Sequence, residues 1–151
     1  MAIMEDGSFC YTIGYGNRSL EYLIDMVQSF NIVHLVDIRS YPHSVHEDFN
    51  KENLEIVLPM NNIIYSHCPG LGGLRNGSYM DYTKTDEFSK YYSRLVDKIE
   101  AVNKAGSCIV LMCAEKNPKN CHRYHLSKVL ESSGIKIIHL TDPGQVDLFR
   151  F

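Results

Sequence analysis

Cys108-Ile109-Val110-Leu111-Met112-Cys113-Ala114-Glu115-Lys116-Asn117-Pro118-Lys119-Asn120-Cys121-His122-Arg123-Tyr124-His125 is the stretch that decides the fold. An unbroken apolar run ends at Cys113, a short polar loop follows, and Pro118 stands where a helix accepts proline at its first position. A run without polar alternation suits a strand covered on both faces. A strand that feeds directly into a helix N-terminus is the junction at which α/β proteins place anions and reactive side chains.

The same alternation extends outward from this stretch. Residues 9–14 and 32–38 read as strands, with a helix between them that starts after Ser19 and carries Leu20, Leu23, Ile24 and Val27 at helical spacing. Asn50 is placed to cap a short helix bearing Leu54, Val57 and Leu58, which Pro59 should end. Residues 62–66 make a third strand, followed by a long loop over 67–84 that is rich in glycine and tyrosine. Thr85, with Asp86 and Glu87 behind it, starts a helix whose stripe is Phe88, Tyr91, Tyr92, Leu95, Ile99 and Val102. Strand four covers 107–113, helix four runs from Pro118 to Ser133, and strand five covers 135–140. The pattern predicts one α/β domain over 1–151: a three-layer sandwich with a mainly parallel five-stranded sheet and helices on both faces.

Composition bounds the setting. The 151 residues are 44% apolar and 22% charged with a net charge of −3, which is ordinary for a globular domain and gives no general reason for a nucleic-acid coat. No apolar run approaches the roughly 20 residues of a membrane span, and the first residues lack a basic region followed by an apolar one. Five cysteines are too few and too scattered for a disulfide framework. A cytoplasmic protein with no membrane partner is therefore expected. Cys10, Cys108 and His34 lie inside apolar runs and are read as core groups.

The polar residues collect at the strand ends. Asn17 and Arg18 follow strand one, and Asp37 and Arg39 close strand two. Gly72, Gly73 and Arg75 follow strand three, and Cys113, Glu115, Cys121, His122 and Arg123 follow strand four. Ligands of parallel sheets bind outside the carboxyl ends of the strands. Four of the six arginines fall there, and arginine is suited to bidentate contact with phosphate or carboxylate. These arginines, with Asn17, Asp37, Gly72 and Gly73, are the expected ligand-binding residues. The alternative is that they are solvated or paired with Asp37 and Glu115. Neither glycine cluster matches a dinucleotide fingerprint or a P-loop. Cys113, Cys121, His122 and Glu115 are the candidate catalytic groups, since a thiol in a helix's first turn beside His122 and Arg123 has a lowered pKa. The cysteines could equally be structural, or part of a Zn²⁺ site with His122 and Cys68 or His67, although C-x7-C-H matches no strong zinc pattern. No metal and no cofactor are expected.

Thr-Ile-Gly14-Tyr-Gly-Asn17-Arg18-Ser, Val-Asp37-Ile-Arg39-Ser-Tyr-Pro42, Leu-Gly72-Gly73-Leu-Arg75 and Met-Cys113-Ala-Glu115-Lys-Asn-Pro118-Lys-Asn-Cys121-His122-Arg123 occur in this order. Together they resemble the domain of unknown function 488 family over about residues 10–141. The family has no settled activity, so the resemblance implies a site at these residues more than a reaction. The chain departs from the family pattern at Pro42-His43-Ser44-Val45-His46 and at Leu74, where arginines are common. Both changes weaken the field a nucleic acid would meet.

Four functions fit these residues. The first is an enzyme acting on an anionic small molecule or nucleotide held by the arginines, with a Cys–His pair for chemistry. The second is a non-enzymatic nucleotide or nucleic-acid binding module that stacks bases on the tyrosines of the 67–84 loop. The third is a rhodanese-like thiol enzyme, for which the Cys-x4–5-Arg cradle is missing. The fourth is a Cys/His metal site. The sequence carries no reading of oligomeric state.

Overall fold

In the computed structural model, which describes residues 7–73, 78–115 and 122–141, five parallel strands form one sheet in the order β3-β2-β4-β1-β5. They are β1 (Phe9–Gly14), β2 (Ile32–Asp37), β3 (Ile64–His67), β4 (Cys108–Cys113) and β5 (Lys136–Leu140). The long helices are α1 (Leu20–Ser29), α2 (Lys51–Met60), α4 (Asp86–Lys104) and α5 (His122–Ser132), and α3 (Tyr79–Tyr82) is a single turn. The sheet is wholly parallel with helices on both faces, a three-layer α/β fold. No helix among the described residues is long and apolar enough to cross a membrane.

Each face has its own core, because alternate strand residues point to opposite sides. Tyr11, Ile13, Leu35, Val110 and Met112 pack against α1 and α2 through Leu23, Val27, Leu54 and Leu58. Cys10, Val36, Ile109 and Leu111 pack on the other side against α4 and α5 through Leu95, Ile99, Leu126 and Leu130. All six residues of β4 are buried, as the apolar run requires of the central strand. Burial, and then the neighbouring Cys108, raise the Cys10 thiol far above its ordinary pKa, which makes it an inert core group.

Local signals account for most element boundaries. The hydroxyls of Ser19 and Thr85 accept from the N–H groups of Tyr22 and Phe88 and cap α1 and α4. Three details differ from the sequence reading. Asn50 stands at the N-terminus of α2, but its side chain accepts from Ser44 N–H at 2.7 Å instead of capping the helix. Pro59 lies inside the last turn of α2 and does not end it. Proline there removes the helical hydrogen bond to the Glu55 carbonyl; at the helix end the Asn61 N–H turns to the Leu58 carbonyl and its side chain donates to the Val57 carbonyl at 2.9 Å. The stretch after β3 is not a plain loop: it contains a 3-10 turn at Pro69–Leu71 and the α3 turn, capped by Ser78. The expected helix start at Pro118 lies outside the described residues.

Leu111→Ala should cost about 2–5 kcal/mol in urea unfolding, the range for a large-to-small change in a packed core. Ile56→Ala, at a position 63% exposed on α2, should stay within about 0.5 kcal/mol. Equal effects at the two positions would contradict the assignment of β4 as the buried centre.

Candidate functional site

The chain leaves β2 into α2 on one face of the sheet and leaves β4 toward α5 on the other. Loops that diverge to opposite faces open a crevice beyond the strand ends. Backbone bonds carry the ladder into it: Ile38 N–H donates to Met112 O at 3.0 Å, Tyr15 N–H to Cys113 O at 3.1 Å, and Gly16 N–H to Ala114 O at 2.8 Å. A cavity of about 360 Å³ lies there, with Tyr15, Arg39, Ser40, Cys113, Glu115 and His122 in its wall. Tyr41 and His43 from the loop after β2 also line it. Their rings meet edge to face at 5.6 Å, and Tyr41 is 73% exposed.

Arg39 is the best-held group in this wall. Its Nε and Nη2 donate to the two oxygens of Asp37 at 2.8 and 2.7 Å, and its Nη1 donates to the Tyr15 hydroxyl at 3.0 Å. Asp37 is fully buried and also accepts from Arg39 N–H at 3.1 Å and from the Tyr65 hydroxyl at 2.5 Å. Burial alone would lower the Arg39 pKa; the Asp37 carboxylate more than offsets it, so the guanidinium stays charged. Burial and the bond to Asp37 push the Tyr65 phenol well above its ordinary value, so it stays a donor. Tyr15 is fixed in turn by a parallel stack on the buried Phe49, centroids 4.0 Å apart. His67 Nε2 lies 2.7 Å from the Arg39 carbonyl and pins the backbone. An arginine has five N–H donors, and these bonds use three. One donor on each terminal nitrogen remains.

His122, the first residue of α5, approaches the Ile38 carbonyl with Nε2 at 3.2 Å. A carbonyl only accepts, so that nitrogen carries the proton and Nδ1 has the basic lone pair when the ring is neutral. Gly73 makes this placement feasible, since a Cβ there would stand 2.6 Å from His122 Cγ and Nδ1. Gly72 likewise lies against Ser40, where a Cβ would come within 2.6 Å of the Ser40 nitrogen. Close approach, not positive φ, is what these two glycines provide. Cys113 is 2% exposed, and its thiol is 3.7 Å from the Glu115 carbonyl. Glu115 itself is exposed at the rim.

The remaining expected site residues do not gather here. Arg18 lies over the Tyr22 ring at 5.0 Å, at the start of α1, and Asn17 is exposed beside it. Arg123 is fully buried in the first turn of α5, and its charge acts on His139 of β5. Of the described arginines, Arg39 is the one in the cavity wall. Arg75 and Cys121 lie outside the described residues. No group of three or more His, Cys, Asp or Glu residues suited to a metal ion occurs among the described residues.

Tyr15, Ser40, Tyr41 and His43 are wall residues that the sequence reading did not single out, and Tyr65 is an unanticipated partner of Asp37. Only Tyr15 carried a signal, standing between Gly14 and Gly16 immediately past a strand. Residues 19–130 match the family model described as Domain of unknown function DUF488. The chain belongs to the DUF488 family. No curated protein and no solved structure matches it. The DUF488 match spans α1 through most of α5, and so includes Asp37, Arg39, Cys113, Glu115 and His122.

Two consequences can be measured. Asp37→Asn keeps the shape but strands a buried guanidinium, so it should cost about 3–5 kcal/mol in urea unfolding; a loss under about 1 kcal/mol would show the pair to be solvated. Outside the cavity, burial and then the nearby Lys98 charge lower His34 to about 4, and burial and then Arg123 and Lys128 lower His139 to about 4. Their rings hydrogen-bond Ser66 Oγ at 2.8 Å and Thr12 Oγ1 at 2.6 Å. Unfolded histidine titrates near 6.5, so the unfolded chain binds protons first as pH falls. Stability should be whole above that value and decline toward pH 4. In an NMR titration both rings should stay neutral through pH 5, and midpoints near 6.5 would refute this.

Proposed function

We propose that this DUF488 protein is an enzyme whose carboxyl-edge cavity takes an anionic small molecule, best matched by a nucleotide with a phosphate of low charge. The observation that carries the reading is Arg39, immobilised by Asp37 and Tyr15 in the cavity wall with one N–H on each terminal nitrogen still to give. A planar donor pair held in this way suits two oxygens of a phosphate or carboxylate. The Tyr15 hydroxyl, which already accepts from Arg39, retains its own proton for a third bond.

Local charge narrows the ligand. Asp37 offsets Arg39, and Glu115 adds a negative charge to the same wall, so the cavity recognises by hydrogen bonds more than by field. A phosphate monoester or diester fits this balance better than a polyphosphate. Tyr41, largely exposed at the cavity and set against His43, offers a face for a base. His122, with Nδ1 as the basic nitrogen, is the general base or acid, and Glu115 is the second proton-transfer group. Cys113 serves as a wall residue in this reading: its sulfur is buried and directed at the Glu115 backbone. The same cavity supports a non-enzymatic nucleotide-binding module if His122 moves no proton.

Titration of the ¹⁵N-labelled protein with AMP tests the reading. Saturable shifts are expected at Ser40, Tyr41 and Glu115, with adenosine binding more weakly than AMP. Arg39→Lys, which cannot keep a planar fork, should weaken AMP about tenfold or more, the scale of one hydrogen bond to a charged group. Tyr41→Ala should weaken AMP and adenosine alike and leave the fold intact. AMP shifts that never saturate, or that spare these residues, would rule the reading out.

A further inference from the structure

The face of the sheet that α4 covers holds a second cavity, of about 240 Å³, between α4 and the end of β3. Its interior is apolar, formed by Val36, Leu71 and Leu95. The Tyr91 ring closes one side, and Gly70 allows it to: a Cβ there would lie 2.5 Å from Tyr91 Cγ. Arg94 and Lys98 also line the cavity, one helical turn apart on α4 and on the same helix face as Tyr91. Neither has an ion-pair or hydrogen-bond partner among the described residues.

An arginine and a lysine on a surface helix are ordinarily just solvated. Here their charge reaches inward. Burial raises the Cys68 thiol, while the Leu71 and Gly70 amides and the Lys98 and Arg94 charges act in the opposite direction on its sulfur. Lys98 also acts on the buried His34. The cavity thus combines an apolar interior with two cations that have no ion-pair partner among the described residues. A bare inorganic anion would leave the apolar interior uncovered, and a neutral apolar molecule would leave the cations unused. The volume is below the roughly 300–1,000 Å³ of pockets for drug-sized ligands, so the occupant is compact.

We propose that this cavity is a second ligand site, taking a small organic anion: a carboxylate on a compact apolar body. Arg94 and Lys98 meet the carboxylate, and the body lies against Leu71, Leu95 and Tyr91. The site is independent of the nucleotide reading, because none of its charged or apolar groups lines the first cavity.

Benzoate is the probe, added to the ¹⁵N-labelled full chain, with benzamide as its neutral isostere and inorganic phosphate as its bare-anion control. Benzoate should give saturable shifts at Cys68, Gly70, Leu71 and Leu95. Benzamide and phosphate should each bind about tenfold more weakly or not at all. The R94Q/K98Q double variant, at positions outside the apolar interior, should keep the spectrum of the fold and lose benzoate binding by a similar factor; R94Q alone gives the same reading if the pair disturbs α4. Benzoate shifts that do not saturate would overturn the proposal. So would equal binding of benzamide, equal binding of phosphate, or benzoate binding unchanged in the variants.

Discussion

The buried ion pair between Asp37 and Arg39 is the constraint on which the carboxyl edge of this protein depends. Two charges removed from water repay their desolvation only when geometry is good and the remaining polar atoms are satisfied. At Asp37 both conditions hold: the contact is bidentate, and the carboxylate takes further bonds from the Arg39 amide and the Tyr65 hydroxyl, while Arg39 keeps two N–H donors beyond the pair and Tyr15. The pair therefore ties the end of β2 to Tyr65 of β3. Through Nη1 and Tyr15 it also reaches β1, and through the Tyr15–Phe49 stack it reaches the turn before α2. Such a network favours rigidity and specificity over raw stability, which is what a recognition site requires.

The sheet order gives this pair its setting. With β4 at the centre, its chain departs to one face while those of its neighbours β1 and β2 depart to the other, and the crevice opens where Tyr15, Arg39 and Cys113 emerge from three adjacent strands. Glycine does the rest. Gly72 and Gly73 bring the chain after β3 against Ser40 and His122, closer than any side chain would permit. The cavity is thus assembled from the ends of four elements far apart in sequence.

Much of the fold was legible from periodicity and caps. The continuous apolar run at 108–113 identified the central strand, and Ser19 and Thr85 marked helix starts at which their hydroxyls do cap. Asn50 was right in position but not in role, because a side chain chooses among nearby donors and Ser44 N–H was closer at hand. The turns within 67–84 went unread, since single-turn elements leave no period to detect. The arginines show the larger difficulty. Their placement after the strands was legible, but direction was not: Arg18 turns onto Tyr22, Arg123 is buried toward β5, and Arg39 alone of the described three lines the cavity. Direction depends on strand order and helix phase, which only the folded chain specifies. Tyr65, paired with Asp37 across the sheet, was invisible for the same reason.

The central claim is that Arg39, held by Asp37 and Tyr15, is the anchor for an anionic ligand. A crystal structure of the protein soaked with AMP tests it most directly. The account predicts the phosphate in the cavity beside Tyr15 and His122, with oxygens about 2.7–3.2 Å from both terminal nitrogens of Arg39, and the Asp37–Arg39 bonds unbroken. AMP bound elsewhere, or a phosphate that takes no bond from Arg39, would contradict it.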